Sequence, residues 1–335
     1  MDAIAAAQAL SEIGYLLRQN PAEVFRAKAF SAAAWSIAIS RPDLEALHRA
    51  KDLSSLEGVG AGIAKVLTEL LEAGQSRYLE RLRTEMGQPA REDESNLDLS
   101  AYQGDIHSHT NWSDGKATML DMARGAEVLG YKYLAVTDHS PRIKVVNGLN
   151  AERLLAQSRE LAEVQAQIEG LTLLQGIEVD ILEDGALDLP DAVLELLDVV
   201  VASPHVKLRQ EPAAMTERML RAVSHPHVDV VGHPTGRRPG SREGASYDFE
   251  AVFKEAARHG VALEIDCDPA RMDLSPEMAR LAFECGCNFS LDADAHMPAE
   301  LAYVPMAAWM ARRAGIPQDR ILNFLDVDEL ASALR

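Results

Sequence analysis

Asp105-Ile106-His107-Ser108-His109-Thr110 is the stretch from which the fold can be read. His107 and His109 are two residues apart, a spacing that sends both side chains to one face of a β-strand. Two imidazoles side by side at a strand end make half of a metal site, and Asp114 follows in the adjoining loop. Such a pair is weak alone and needs context. The following chain alternates strand-like with helical runs. Residues 104–109, 133–137, 171–181, 199–202, 228–231, 261–265 and 288–291 read as strands; 119–129, 151–168, 192–196, 211–223, 249–259 and 276–285 read as helices. This alternation predicts an α/β fold with parallel strands and crossover helices. Seven such units predict a distorted (β/α)7 barrel, TIM-like but one unit short.

In barrels of this kind the chemistry sits at the C-terminal ends of the strands. Of ten histidines, six fall at those ends: His107, His109, His139, His205, His233 and His296. The other four serve as a control. His225-Pro-His227 repeats the spacing of the opening pair, but it precedes its strand and so belongs to the opposite mouth. His259 sits at a helix end beside Gly260, where a histidine suits the dipole. Adding Asp114, Glu178 and Asp294 gives nine converging donors. That is too many for one tetrahedral ion and suits two or three ions sharing a carboxylate. Mixed nitrogen and oxygen donors favour Zn, Mn or Fe over Ca or Mg alone.

Composition restricts the function. The 335 residues hold 33 Lys plus Arg against 52 Asp plus Glu, a formal net charge of −19. A strongly acidic chain is a poor general binder of nucleic acid, because the phosphate backbone rewards basic surface. Three cysteines, Cys267, Cys285 and Cys287, without framework spacing read as reduced thiols in a cytoplasmic protein. Neither a signal peptide nor a membrane-spanning apolar run is read.

Residues 1–85 are Ala-rich and read as helices over 3–17, 27–39, 43–49 and 61–73, and 86–100 as a polar connection. The first segment is near neutral, with 10 basic and 11 acidic residues. Leu56-Glu57-Gly58-Val59-Gly60 leads into an amphipathic helix ending at Gly74. Glycines in this position expose amides at a helix start, where a phosphate can be held. The segment resembles a helix-hairpin-helix and the N-terminal domain of family X DNA polymerases. That resemblance assigns DNA contact to Gly58, Val59, Gly60 and Lys65. It also places Val66, not a lysine, where the family can carry a Schiff-base residue, so no lyase activity is expected.

His107-x-His109 with Asp114, Thr137-Asp138-His139, Gly176-Ile-Glu178-Val-Asp180, Ser203-Pro-His205, Gly232-His233-Pro234 and Asp294-Ala-His296 resemble the motif set of the PHP (polymerase and histidinol phosphatase) family. Gly232 to Arg237 and Asp268 to Leu274 further resemble the PHP domain of bacterial family X polymerases. Residues 101–335 would be that domain. The resemblance implies three metals: one on His107, His109, Glu178 and Asp294, one on Glu178, His205 and His233, and one on Asp114, His139 and His296, with Glu178 bridging. It implies catalytic roles for Glu178, Asp294, Arg237 and Arg271. The palm and fingers that separate the two domains in those polymerases are missing, so no polymerase activity is expected. The leading expectation is a Mn-stimulated nuclease on DNA in repair: a 3′–5′ exonuclease, a 3′-end processor or an abasic-site nuclease. The alternatives are a small-molecule phosphatase of the histidinol-phosphate type and a non-catalytic DNA-tethering module.

Overall fold

The computed structural model describes residues 1–18, 20–85 and 97–334, so most of the predicted 86–100 connection lies outside the described residues. It resolves into two compact units: Met1–Glu94 with Pro239–Arg242, and Ser95–Arg238 with Glu243–Arg335.

The smaller unit is helical over Ala3–Arg18, Val24–Ser40, Leu44–Arg49, Ala61–Ala73 and Arg77–Glu85. Leu10, Ile13, Leu16, Ile37, Leu67 and Leu70 are buried within it. The last helix is not expected from the sequence; the Ser76 hydroxyl accepts from the Leu79 amide at its start, and Leu79 and Leu82 bury its apolar stripe. In the hairpin, Gly58 has φ +77, a conformation that L side chains rarely adopt. Gly60 starts the helix Ala61–Ala73 with ordinary φ, and no side chain caps that helix.

The larger unit is a seven-stranded parallel sheet in sequence order. Its strands are β1 (Gly104–Asp105), β2 (Tyr133–Val136), β3 (Thr172–Asp180), β4 (Val199–Ser203), β5 (Val230–Val231), β6 (Ala262–Asp266) and β7 (Phe289–Asp292). Helices Met119–Leu129, Ala151–Gln165, Pro212–Val223, Phe249–His259 and Pro276–Glu284 connect them. The crossover between β3 and β4 carries only the four-residue helix Asp191–Leu194. The sheet curls into a nearly closed barrel.

Strand β1 ends at Asp105, earlier than the predicted 109. The reason is the seam with β7, where side chains replace the backbone ladder. The Ile106 amide donates to Asp292 Oδ1, and the Ala293 amide to Asp105 Oδ2. Beyond the seam, the His109 amide reaches the Ala295 carbonyl at 2.8 Å, which keeps the His107–His109 segment extended. Asn323 closes the gap from inside, donating to the Gly104 carbonyl and to Asp292. Alternate residues of the strands, Ala135, Val199, Val201, Val230 and Ala262, fill the interior with Leu322, Leu330 and Leu334. The helices Val304–Ala314 and Val327–Ala333 that follow the last strand are not predicted from the sequence. Among the described residues, no helix is long and apolar enough to cross a membrane.

Candidate metal centre

The barrel brings all nine predicted donors to one place. Glu178 lies near the end of β3 with no exposure, and five imidazoles surround it. His205 Nε2 and His233 Nε2 lie 3.1 and 2.8 Å from Oε1, and His107 Nε2 lies 3.6 Å from the same oxygen. His139 Nδ1 and His109 Nε2 approach Oε2 at 2.8 and 3.6 Å. Asp294 faces the opening pair, with Oδ1 2.9 Å from His109 Nε2 and 3.8 Å from His107 Nε2. Asp114 stands farther out, half-buried, with its two oxygens each 3.5 Å from one Nε2, that of His139 and that of His296.

Three groups have donor atoms within 4.8 Å of one another: His109, Asp114, His139 and His296; His107, His109 and Asp294; and His139, Glu178 and His205. The groups share members, so His109 and His139 link them. Buried His107 Nε2, both ring nitrogens of His109, His205 Nε2, His233 Nδ1, Glu178 Oε2 and Asp294 Oδ1 make no hydrogen bond. Leaving so many polar atoms without partners costs about 1–3 kcal/mol each. A set of divalent cations would satisfy them together, and the donor chemistry fits such ions.

The electrostatics mark an anionic pocket: against the effect of burial, Glu178, Asp114, Asp180, Asp294 and Glu264 raise His107, His139, His205 and His296, so that protons hold in the metal-free protein the place that cations would take. Burial alone would raise the Glu178 carboxyl, but the rings of His205, His139 and His107 hold it well below the usual carboxylate range. Burial would likewise raise Asp294, and the Arg271 guanidinium and the neighbouring His109 ring bring it well below. Burial, with His296 and His139 nearby, pushes His109 down to about 3, leaving it neutral and able to ligate. Burial and the charge of Arg271 do the same to His233, also to about 3.

Around the donors lies a ring of buried carboxylates to which sequence reasoning assigns no role. Glu264 on β6 lies 2.6 Å from His107 Nδ1. Asp180 lies 3.1 Å from His205 Nδ1. Asp138 accepts from the amides and hydroxyls of Thr110 and Ser113 and from the Gln157 amide, which fixes the loop that delivers Asp114. Asp273 does the same after β5, accepting from the Thr235 amide and hydroxyl. The available signal is a charged residue inside an apolar strand run, as in Ala262-Leu263-Glu264-Ile265-Asp266.

Arg271 and Arg237 both have partners within the protein. Arg271 is buried, and its Nε lies 3.0 Å from Asp294 Oδ2 and 3.4 Å from Asp266 Oδ2. Arg237 directs Nε and Nη2 onto the Met272 carbonyl. In the hairpin unit, Lys65 is exposed and lines a pocket of about 680 Å³ with Arg26, Arg77, Arg81, Gly58 and Gly60. Val59 is buried and its amide donates to the Leu56 carbonyl. His225 and His227 lie elsewhere, with His225 Nε2 3.4 Å from Asp191.

Comparison with known proteins gives two family matches. A helix-hairpin-helix domain model matches residues 2–76 and a PHP domain model matches residues 105–267. A DNA polymerase/3′-5′ exonuclease PolX of Bacillus subtilis (strain 168) is 36% identical over 239 residues, 71% of this chain. The aligned part spans only 42% of that relative's length. A probable phosphatase of Thermoanaerobacter sp. (strain X514) is 31% identical over 244 residues, covering 69% of this chain and 94% of the relative. A crystal structure of histidinol phosphate phosphatase from Lactococcus lactis, complexed with zinc, L-histidinol and phosphate, superposes with a TM-score of 0.47 at 15% identity, over 64% of this chain and 94% of that one.

Proposed function

The chain belongs to the PHP domain family and is a hydrolase of phosphate esters, and from that premise we propose that it is a metal-dependent nuclease. In this reading residues 1–85 engage DNA, residues 101–335 cleave it, and 86–100 connect them. The observation that carries the proposal is the convergence of His107, His109, Asp114, His139, Glu178, His205, His233, Asp294 and His296 with partnerless buried atoms among them. Two or three ions of Mn, Zn or Fe would be held there, with Glu178 central to them. Ions so placed supply Lewis acidity toward a phosphoryl oxygen and acidify water at neutral pH.

The chain's own groups do the rest. Glu178 and Asp294 stay ionised and so keep the donor set anionic. Arg271 neutralises Asp294 from one side and holds a cation beside the cluster, where a phosphate oxygen would gain from it. Arg237 braces the Met272 carbonyl and so orders the loop carrying Arg271. The uncapped helix start at Gly60 leaves amides available to a DNA phosphate, with Lys65 adding charge. Buried Val66 carries no amine, so the hairpin unit has no Schiff-base chemistry at that position. The reaction expected is 3′–5′ exonucleolytic or 3′-end-processing cleavage, or nicking at abasic sites, in the cytoplasm.

A second reading, a phosphatase of small monoesters such as histidinol phosphate, is favoured by the net charge of −19 and by the probable-phosphatase relatives. One substitution separates the two. A Cβ added at Gly60 would meet no heavy atom within 4 Å, so Asp fits there and would cap the helix with its own carboxylate. Gly60→Asp thus keeps the fold while filling the phosphate's place. Manganese-dependent cleavage of labelled single-stranded DNA is expected to fall about tenfold, with cleavage of histidinol phosphate unchanged. Equal rates on DNA for variant and parent would overturn the role of the hairpin unit. Turnover of histidinol phosphate alone would favour the second reading.

A further inference from the structure

Glu264 lies on β6, between the strands whose ends carry His233 and Asp294, and faces two of the histidines at once. It has no exposure to solvent. Its Oε1 is 2.6 Å from His107 Nδ1, and its Oε2 accepts the backbone N–H of His233. His233 has φ +27, a left-handed conformation that a non-glycine residue adopts only under constraint. The other nitrogen of His107, Nε2, is buried without a hydrogen-bond partner and points toward Glu178 and Asp294. A neutral imidazole carries its proton on one nitrogen only, and the hydrogen bond made by one nitrogen decides what the other can do.

We infer that Glu264 is a positioning residue, which fixes the proton of His107 on Nδ1 and thereby presents the Nε2 lone pair to a divalent cation, while holding the His233 backbone in its ligating position. The inference rests on the metal-centre reading above and names a residue that reading leaves out. A carboxylate is needed because two donors must be accepted together. An ionised glutamate offers acceptors on both oxygens, whereas glutamine offers one acceptor and one donor. With glutamine, either the His233 amide loses its acceptor or His107 must move its proton to Nε2 and block the cation. Asp180 stands in the same relation to His205 Nδ1, but it makes no second contact of this kind to a ligand's backbone.

The test has two arms, neither of which reads activity. In the parent protein loaded with zinc, 15N NMR of the imidazoles is expected to show His107 protonated at Nδ1; an Nδ1 without a proton would overturn the inference with no variant needed. In titration calorimetry with manganese, Glu264→Gln is expected to bind 10- to 100-fold more weakly than the parent, the range typical of groups that orient metal-binding histidines. Glu264→Asp, which keeps both acceptors, is expected to recover part of that loss. Parent-like manganese affinity in Glu264→Gln would overturn the inference and leave the metal centre standing. A parent protein that binds no manganese would overturn both.

Discussion

The sequence contains the pattern His-x-His twice, and the two copies have opposite fates. His107 and His109 follow β1, are fully buried, and have three ring nitrogens without hydrogen bonds, of which the two Nε2 atoms face Glu178 and Asp294. His225 and His227 precede β5; both are partly exposed, and the nitrogens of His225 are occupied by Asp191 and the His227 amide. Ring spacing does not separate the pairs, since their centroids are 5.2 and 5.7 Å apart. What separates them is which mouth of the barrel they occupy. At one mouth seven strand ends converge and bring carboxylates with them; at the other a histidine finds one surface acid and water. A ligand motif is therefore a property of topology as much as of spacing.

The largest expected effect comes from removing a member of the buried pair. His107→Ala is expected to cut phosphoesterase turnover at least a hundredfold and lower the bound manganese measured by elemental analysis, with the circular dichroism spectrum retained. Parent-like turnover in that variant would make the two pairs equivalent after all. Metal removal comes next. If chelation strips ions that bind only the folded barrel, the protein loses about 2.7 kcal/mol for each ion present at a hundred times its Kd. The unfolding temperature should therefore drop by several degrees on adding EDTA, and a constant temperature would argue against ions at the cluster.

A subtler effect is expected at Asp138, which fixes the loop carrying Asp114 through Thr110 and Ser113. Asp138→Asn should loosen that loop and cost one ion of the complement, with the remaining ions still bound at near-parent affinity. Equal loss of all the ions would show that the loop does not act separately. The smallest effect belongs to the exposed pair. His225→Ala with His227→Ala should leave manganese content and turnover unchanged and stability within about 0.5 kcal/mol, as for ordinary surface substitutions. A fall in metal content there would erase the contrast.

Much of this molecule is legible because its signals are local. The helix Met119–Leu129 has Thr118 and Asp121 as a capping box before it and Gly130 in the left-handed conformation after it, so its ends are written in the residues themselves. The helix Phe249–His259 is bounded in the same way by Asp248 and Gly260. Strand β1 reads too long from its sequence because its limit is set by Asp292, nearly two hundred positions away in the chain. The helix Val304–Ala314 has readable marks, Pro305 in its first turn and Gly315 past its end, but it carries no donor and so drew no expectation.

The donors themselves can be picked out because each follows a strand. Their grouping cannot, because it depends on how far neighbouring strand ends project: His109 and His139 each stand close enough to join two groups. The role of Glu264, a buried carboxylate behind them on β6, is illegible for a related reason. Whether an acid on a strand faces the barrel interior or solvent depends on register, and register is a long-range property.

The central claim is that this cluster of side chains, and no other place on the barrel, holds the divalent ions of a phosphoesterase. Anomalous diffraction from crystals grown with excess manganese tests it most directly. Two or three peaks within coordinating distance of Glu178, Asp294, Asp114 and the six strand-end histidines are the predicted result. A cluster without a peak, or manganese at His225 and His227 instead, would contradict it.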